Sequence, residues 1–170
     1  MSAVLTRSDS YERWRERKLA AYPRRAEDLV VEVRDPRNLT EAEAGKLREL
    51  CAVANMAVYS SALADPADKE LVRRVGGQLG LSRLQANPFA DEDGISSLEA
   101  AGEKSARGYI PYSNRRLLWH TDGYYNPPAQ RIRAFILHCV RPAASGGENR
   151  LLDHEMAYLL LRDADPRFVE

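Results

Sequence analysis

Trp119-His120-Thr121-Asp122 places an imidazole and a carboxylate two residues apart. That spacing constrains its segment more than any other in the chain. In an extended strand residues i and i+2 point to the same face, so a short extended piece presents both side chains together. A His and a carboxylate held this way are two thirds of the facial triad, two His and one Asp or Glu, that binds non-haem Fe(II) and leaves positions open. A bare H-x-D also arises by chance, so the rest of the chain has to decide. The other histidines are His138 and His154.

At 170 residues the chain is long enough for one ordinary domain with a core. Hydrophobic residues make up 44%, as in soluble globular proteins. Lys+Arg 25 against Asp+Glu 25 leaves no net charge, which argues against nucleic acid as a partner. Arg13, Arg15, Arg17 and Lys18 alternate with Glu12 and Glu16, the pattern of a solvated helix face. No apolar run reaches membrane-spanning length, and the first residues lack a signal-peptide core. A membrane is therefore not an expected partner, and the expected compartment is the cytoplasm. Cys51 and Cys139 lie in apolar stretches and read as buried free thiols.

Ser10 to Ala21 predicts a short helix docking by Tyr11 and Trp14. Leu29 to Val33 predicts a short strand. Thr40-Glu41-Ala42-Glu43 is a capping box. It opens a helix whose apolar stripe is Leu47, Leu50, Cys51, Ala54, Ala57 and Val58. A second helix is expected from Asp65-Pro66 through Leu71, Val72 and Val75, stopped by Gly76-Gly77. That glycine pair lacks the preceding strand and following Lys of a phosphate loop. Residues 87–108 form a long polar connection, expected to be a mobile loop. Arg131 to Val140 (RIRAFILHCV) is the best strand candidate, and Arg150 to Leu152 a shorter one. Asp153 caps a last helix that Asp165-Pro166 breaks.

The order W-H-T-D, Asn126-Pro127-Pro128, an apolar strand, Pro142, Gly146-Gly147-Glu148-Asn149 and an Ala-Tyr-Leu-Leu helix resembles the taurine dioxygenase-like (TauD/TfdA) family. These are Fe(II)- and 2-oxoglutarate-dependent oxygenases. The close resemblance runs from about Tyr109 to Leu161. It implies an α+β chain built on a double-stranded β-helix, jelly-roll-like, with N-terminal helices packed on it. It implies His120 and Asp122 as iron ligands. Asn149 stands where the family's G-G-D-T-like turn has the Thr that helps hold 2-oxoglutarate, and its amide can still hydrogen-bond a carboxylate. Tyr124, Tyr125 and Asn126 fall near the mouth of the site and contact substrate or pack its rim.

The family's distal iron-binding His, and the Arg that pairs with 2-oxoglutarate, lie further past the glycine turn than the 21 residues after Asn149 extend. His138 reads as a core or rim residue and His154 as a solvent-facing or capping one. Arg115 and Arg116 either meet an anionic substrate or stay solvated. The expectation is a single domain over residues 1–170, the N-terminal portion of an incomplete jelly roll. Its function would be that of a dioxygenase subunit or part, hydroxylating a small organic substrate. The isolated chain would be weak or inactive, with a second subunit or self-association completing the roll. One rival is a truncated, non-catalytic binding or structural subunit. Another is a hydrolytic zinc site on His120, Asp122 and His138 or His154.

Overall fold

The computed structural model describes residues 8–62, 68–84, 94–100 and 108–170. The chain divides into two compact units: Met1–Leu79 with Cys139–Glu170, and Gly80–His138. Much of the expected loop at 87–108 lies outside the described residues.

The first unit is built on a β-α-β core. Strand β1 (Val30–Glu32) pairs in parallel with β2 (Val58–Ser60), Val31 opposite Tyr59. Helix α2 (Glu41–Ala54) joins them and buries Ala44, Leu47, Leu50 and Ala54. Leu47 and Leu50 pack with Val31 and Val33, flanked by Leu39, Ala57 and Tyr59. The capping box forms as expected. Thr40 Oγ1 accepts from the Glu43 N–H at 3.2 Å, and Glu43 Oε2 accepts from the Thr40 N–H at 2.7 Å. The other Glu43 oxygen accepts from the Arg34 N–H at 2.8 Å. These donors hold the Glu43 carboxyl below its ordinary pKa.

The stripe ends earlier than its spacing suggested. Asn55 turns into the left-handed region (φ 57°) and stops α2, which a short polar side chain tolerates. Ala57 then packs from a connection, and Val58 begins β2 half-exposed. Cys51 lies on the outer face of α2 and is exposed, as is Cys139; neither is the buried thiol expected.

Helix α3 (Lys69–Gln78) is capped by Asp68 and buries Leu71 and Val75. The expected start at Asp65-Pro66 lies outside the described residues. Gly76 and Gly77 are inside this helix and do not end it. Each interior glycine costs about 1 kcal/mol against Ala. Burial of Leu71 and Val75 offsets that, and Gln78 ties down the last turn. Its Oε1 accepts from the Leu39 N–H at 2.7 Å, and its Nε2 donates to the Pro36 carbonyl at 3.1 Å.

Helix α1 (Ser8–Ala21) packs on α4 (His154–Ala164) through aromatic rings, as Tyr11 and Trp14 predicted. Tyr158 meets Tyr11 and Trp14 edge-on, each with centroids 6.2 Å apart. The Arg162 guanidinium lies 3.8 Å from the Tyr11 ring centroid, within cation–π range. Asp153 caps α4, accepting from the Glu155 N–H at 2.9 Å. Lys18 of α1 reaches this cap, with Nζ 2.7 Å from Asp153 Oδ2 and 2.6 Å from Glu155 Oε2. Asn55 Nδ2 adds a bond to Asp153 Oδ1 at 2.8 Å. One buried polar cluster thus joins α1, the end of α2 and the start of α4.

The second unit holds two 3-10 turns, Ile110–Tyr112 and Pro128–Gln130, and no strand among its described residues. The strand expected at 131–140 does not form, nor does the one at 150–152. A strand forms by pairing its N–H and C=O groups with a neighbour. Among the described residues neither segment joins a ladder, and Phe135, Leu137 and Leu152 are exposed.

Candidate metal centre

His120 and Asp122 lie in the second unit, in a segment without helix or ladder. His120 Nε2 is nevertheless 3.4 Å from Asp122 Oδ1, so the two-residue spacing does bring them together. His120 Nδ1 is 2.8 Å from the Leu118 carbonyl oxygen. A carbonyl oxygen only accepts, so Nδ1 carries the proton and donates. In the neutral ring Nε2 then bears a lone pair, directed towards a carboxylate oxygen. A neutral ring and the carboxylate at this distance could share a metal cation, while a protonated ring would itself donate from Nε2 to Asp122 Oδ1. Two donors about 2.1 Å from one divalent ion lie within about 4.2 Å of each other, which this pair satisfies. A ligating His whose other nitrogen donates to a carbonyl is the usual support for such a site.

The segment turns sharply just after Asp122. Gly123 has φ +65°, and its carbonyl accepts from the Asn126 N–H at 2.9 Å. Asn126 Nδ2 in turn donates to the Gln130 carbonyl at 3.1 Å. Tyr124 and Tyr125 project from the turn, 77% and 69% exposed, with their rings edge-on at 5.3 Å. Trp119 on the other side is 64% exposed. Asn126, one of the three residues read as lining the mouth, therefore holds the turn closed with its amide. Neither the Leu118 carbonyl nor Gly123 was singled out by sequence reasoning. The glycine directly after the Asp was the available signal; the carbonyl gave none.

Asn149 is exposed and belongs to the first unit. His154 is the first residue of α4 and exposed, while His138 is half-buried. All three histidines are described, and among the described residues no third His, Cys, Asp or Glu joins His120 and Asp122. The zinc site that needed His138 or His154 is accordingly not assembled among them. Arg115 and Arg116 are exposed, with the Arg115 N–H donating to Ser113 Oγ at 3.2 Å. A concavity of about 260 Å³ lies in the first unit, lined among others by Tyr22, Arg25, Met56, Leu151 and Asp153. Asp153 there is already committed to Lys18, Asn55 and the α4 N-terminus.

The family model described as taurine catabolism dioxygenase TauD, TfdA family, matches residues 16–170. The chain belongs to this family, whose members generally use Fe(II) and 2-oxoglutarate and whose fold is a double-stranded β-helix. The described residues show helices and one two-stranded parallel sheet. Neither a curated protein nor a solved structure matches the chain. No helix among the described residues is long and apolar enough to cross a membrane.

Proposed function

We propose that this chain is the N-terminal part, or a subunit, of an Fe(II)/2-oxoglutarate-dependent dioxygenase that hydroxylates a small organic substrate. The observation that carries the reading is the His120–Asp122 pair, Nε2 3.4 Å from Asp122 Oδ1 with Nδ1 on the Leu118 carbonyl. His120 and Asp122 would hold the iron. When bound, the metal and its co-substrate would supply the oxidising chemistry. The chain's own work is to fix the imidazole through the Leu118 carbonyl and to hold the carboxylate beside it. Asn149 would bind 2-oxoglutarate through its amide. Tyr124, Tyr125 and Asn126 would line the substrate side, the tyrosines excluding water with their rings.

The third iron ligand and the cation for the far carboxylate of 2-oxoglutarate come, in this reading, from outside these 170 residues. A second polypeptide, a second copy or further sequence would also cover the exposed Phe135, Leu137 and Leu152 and complete the jelly roll. The isolated chain is then a weak iron binder and a weak or inactive enzyme. Two exposed, unbridged cysteines support a reducing, cytoplasmic setting. The alternative is a non-catalytic relative that serves as a binding or structural subunit, favoured by the count of two ligands among the described residues.

The deciding experiment is anaerobic purification of the native species from its source, weighing the intact complex. Fe(II) and 2-oxoglutarate are then added. The expected result is a visible charge-transfer band that disappears in the His120→Ala and Asp122→Ala variants. A native species with no such band would refute the oxygenase reading and leave the non-catalytic one.

A further inference from the structure

We propose that Gly123 is a positioning residue for Asp122, acting through a turn clasp that Asn126 and Ile132 complete; the inference rests on the iron-site reading above. Gly123 sits at φ +65°, where an L side chain is strained. A Cβ at this position would lie 2.8 Å from Asn126 Nδ2 and 2.8 Å from Ile132 Cδ1, with Ile132 Cγ1 at 3.0 Å. At such distances something must shift: the Ile132 side chain can move aside, but displacing Asn126 Nδ2 disturbs its bond to the Gln130 carbonyl. The bare backbone of Gly123 thus lets the Ile132 side chain lie directly against the peptide that follows the metal-binding carboxylate.

The clasp has two further parts. The Gly123 carbonyl accepts from the Asn126 N–H at 2.9 Å, and Asn126 Nδ2 donates to Gln130 O at 3.1 Å. Gln130 itself closes the 3-10 turn, its N–H 2.8 Å from the Pro127 carbonyl. The direction in which the chain leaves Asp122 is therefore fixed from residues 126, 130 and 132. His120 is fixed separately, by the Leu118 carbonyl on the other side. The pair meets at 3.4 Å because each ligand is held by its own support, with no strand ladder beneath them. A clasp of this kind does in an unpaired segment what a β-ladder does elsewhere.

The test is Mn(II) binding, followed by the loss of the free-ion electron paramagnetic resonance signal, in four chains: native, Gly123→Ala, Asp122→Ala and the double variant. The native chain is expected to bind Mn(II), and Gly123→Ala to bind it about tenfold more weakly, in the range for loss of a supporting contact. The discriminating quantity is the effect of Asp122→Ala in each background. A positioning role predicts a large loss in the native background and less than about a threefold further loss beside Gly123→Ala, because the carboxylate is already misplaced. General destabilisation would leave the effect of Asp122→Ala the same in both. Asn126→Ala removes the Gln130 bond without adding a Cβ, and is expected to show the same non-additivity if Gly123→Ala does not fold. Equal binding by native and variant chains, or full additivity in both series, overturns the positioning role alone. All four are assayed within the native species purified as above, which supplies the third ligand; a native species that takes up no Mn(II) overturns the iron-site reading and this inference together.

Discussion

Replacing Lys18 by Met should destabilise the first unit far more than removing any surface ion pair. The Lys18 side chain is 5% exposed and that of Asp153 fully buried, with Glu155 18% exposed. Burial disfavours the ammonium, yet the two carboxylates outweigh it and raise the Lys18 pKa. Burial likewise pushes the Asp153 carboxyl up, and Lys18, Asn55 and the Glu155 N–H outweigh it and lower it. Breaking a buried pair on one side typically costs 3–5 kcal/mol, roughly, because the remaining charge is stranded. Asn55 and the Glu155 N–H still serve Asp153 in the variant, which places the expected loss near the lower end, about 3 kcal/mol or roughly 6–12 °C in Tm. Arg15→Met, which removes the solvent-screened Arg15–Asp163 pair, should cost much less. Adding Asp153→Asn to Lys18→Met neutralises the stranded charge while keeping a good N-cap, and should restore part of the loss. The pH dependence has a defined sign. The lowered Asp153 pKa gives stability present above the ordinary carboxyl value of 3.8 and lost as pH falls through the depressed one. The raised Lys18 pKa gives stability present below 10.5 and lost as pH rises through the elevated one. The penalty of Lys18→Met should therefore shrink as pH falls and Asp153 is protonated, since that removes the stranded charge. Urea unfolding monitored by tryptophan fluorescence, repeated across pH, checks all of this. A Lys18→Met loss no larger than that of Arg15→Met would refute the argument.

Two further predictions concern the β-α-β core. Thr40→Ala removes the acceptor for the Glu43 N–H and loosens the capping box, and should lower stability by about 1 kcal/mol in chemical denaturation. Leu47→Ala, at a position 2% exposed, should cost about 2–5 kcal/mol in the same assay, whereas the exposed Cys51→Ala one turn further on should change it by less than about 0.5 kcal/mol.

Features set by neighbours in sequence were legible before the fold was known. The capping box, the Asp153 N-cap and the approach of His120 to Asp122 each involve residues at most a few positions apart. Local sterics and hydrogen bonds settle such geometry. The aromatic docking of α1 was legible too, since Tyr11 and Trp14 on an otherwise charged helix must find cover.

Other features depend on partners far along the chain. Lys18 looked like one cation on a solvated face, and only the fold brings it to Glu155, 137 residues away. Gly76-Gly77 looked like a stop, and only the bonds from Gln78 to residues 36 and 39 carry α3 past it. The run 131–140 has strand composition, but composition supplies no ladder partner, and the described residues hold none. The sequence by itself determined the local elements, the two adjacent candidate metal ligands and the family. The tertiary structure decided which charges are buried and which apolar runs remain exposed, because each of those depends on surfaces that meet only after the chain has folded.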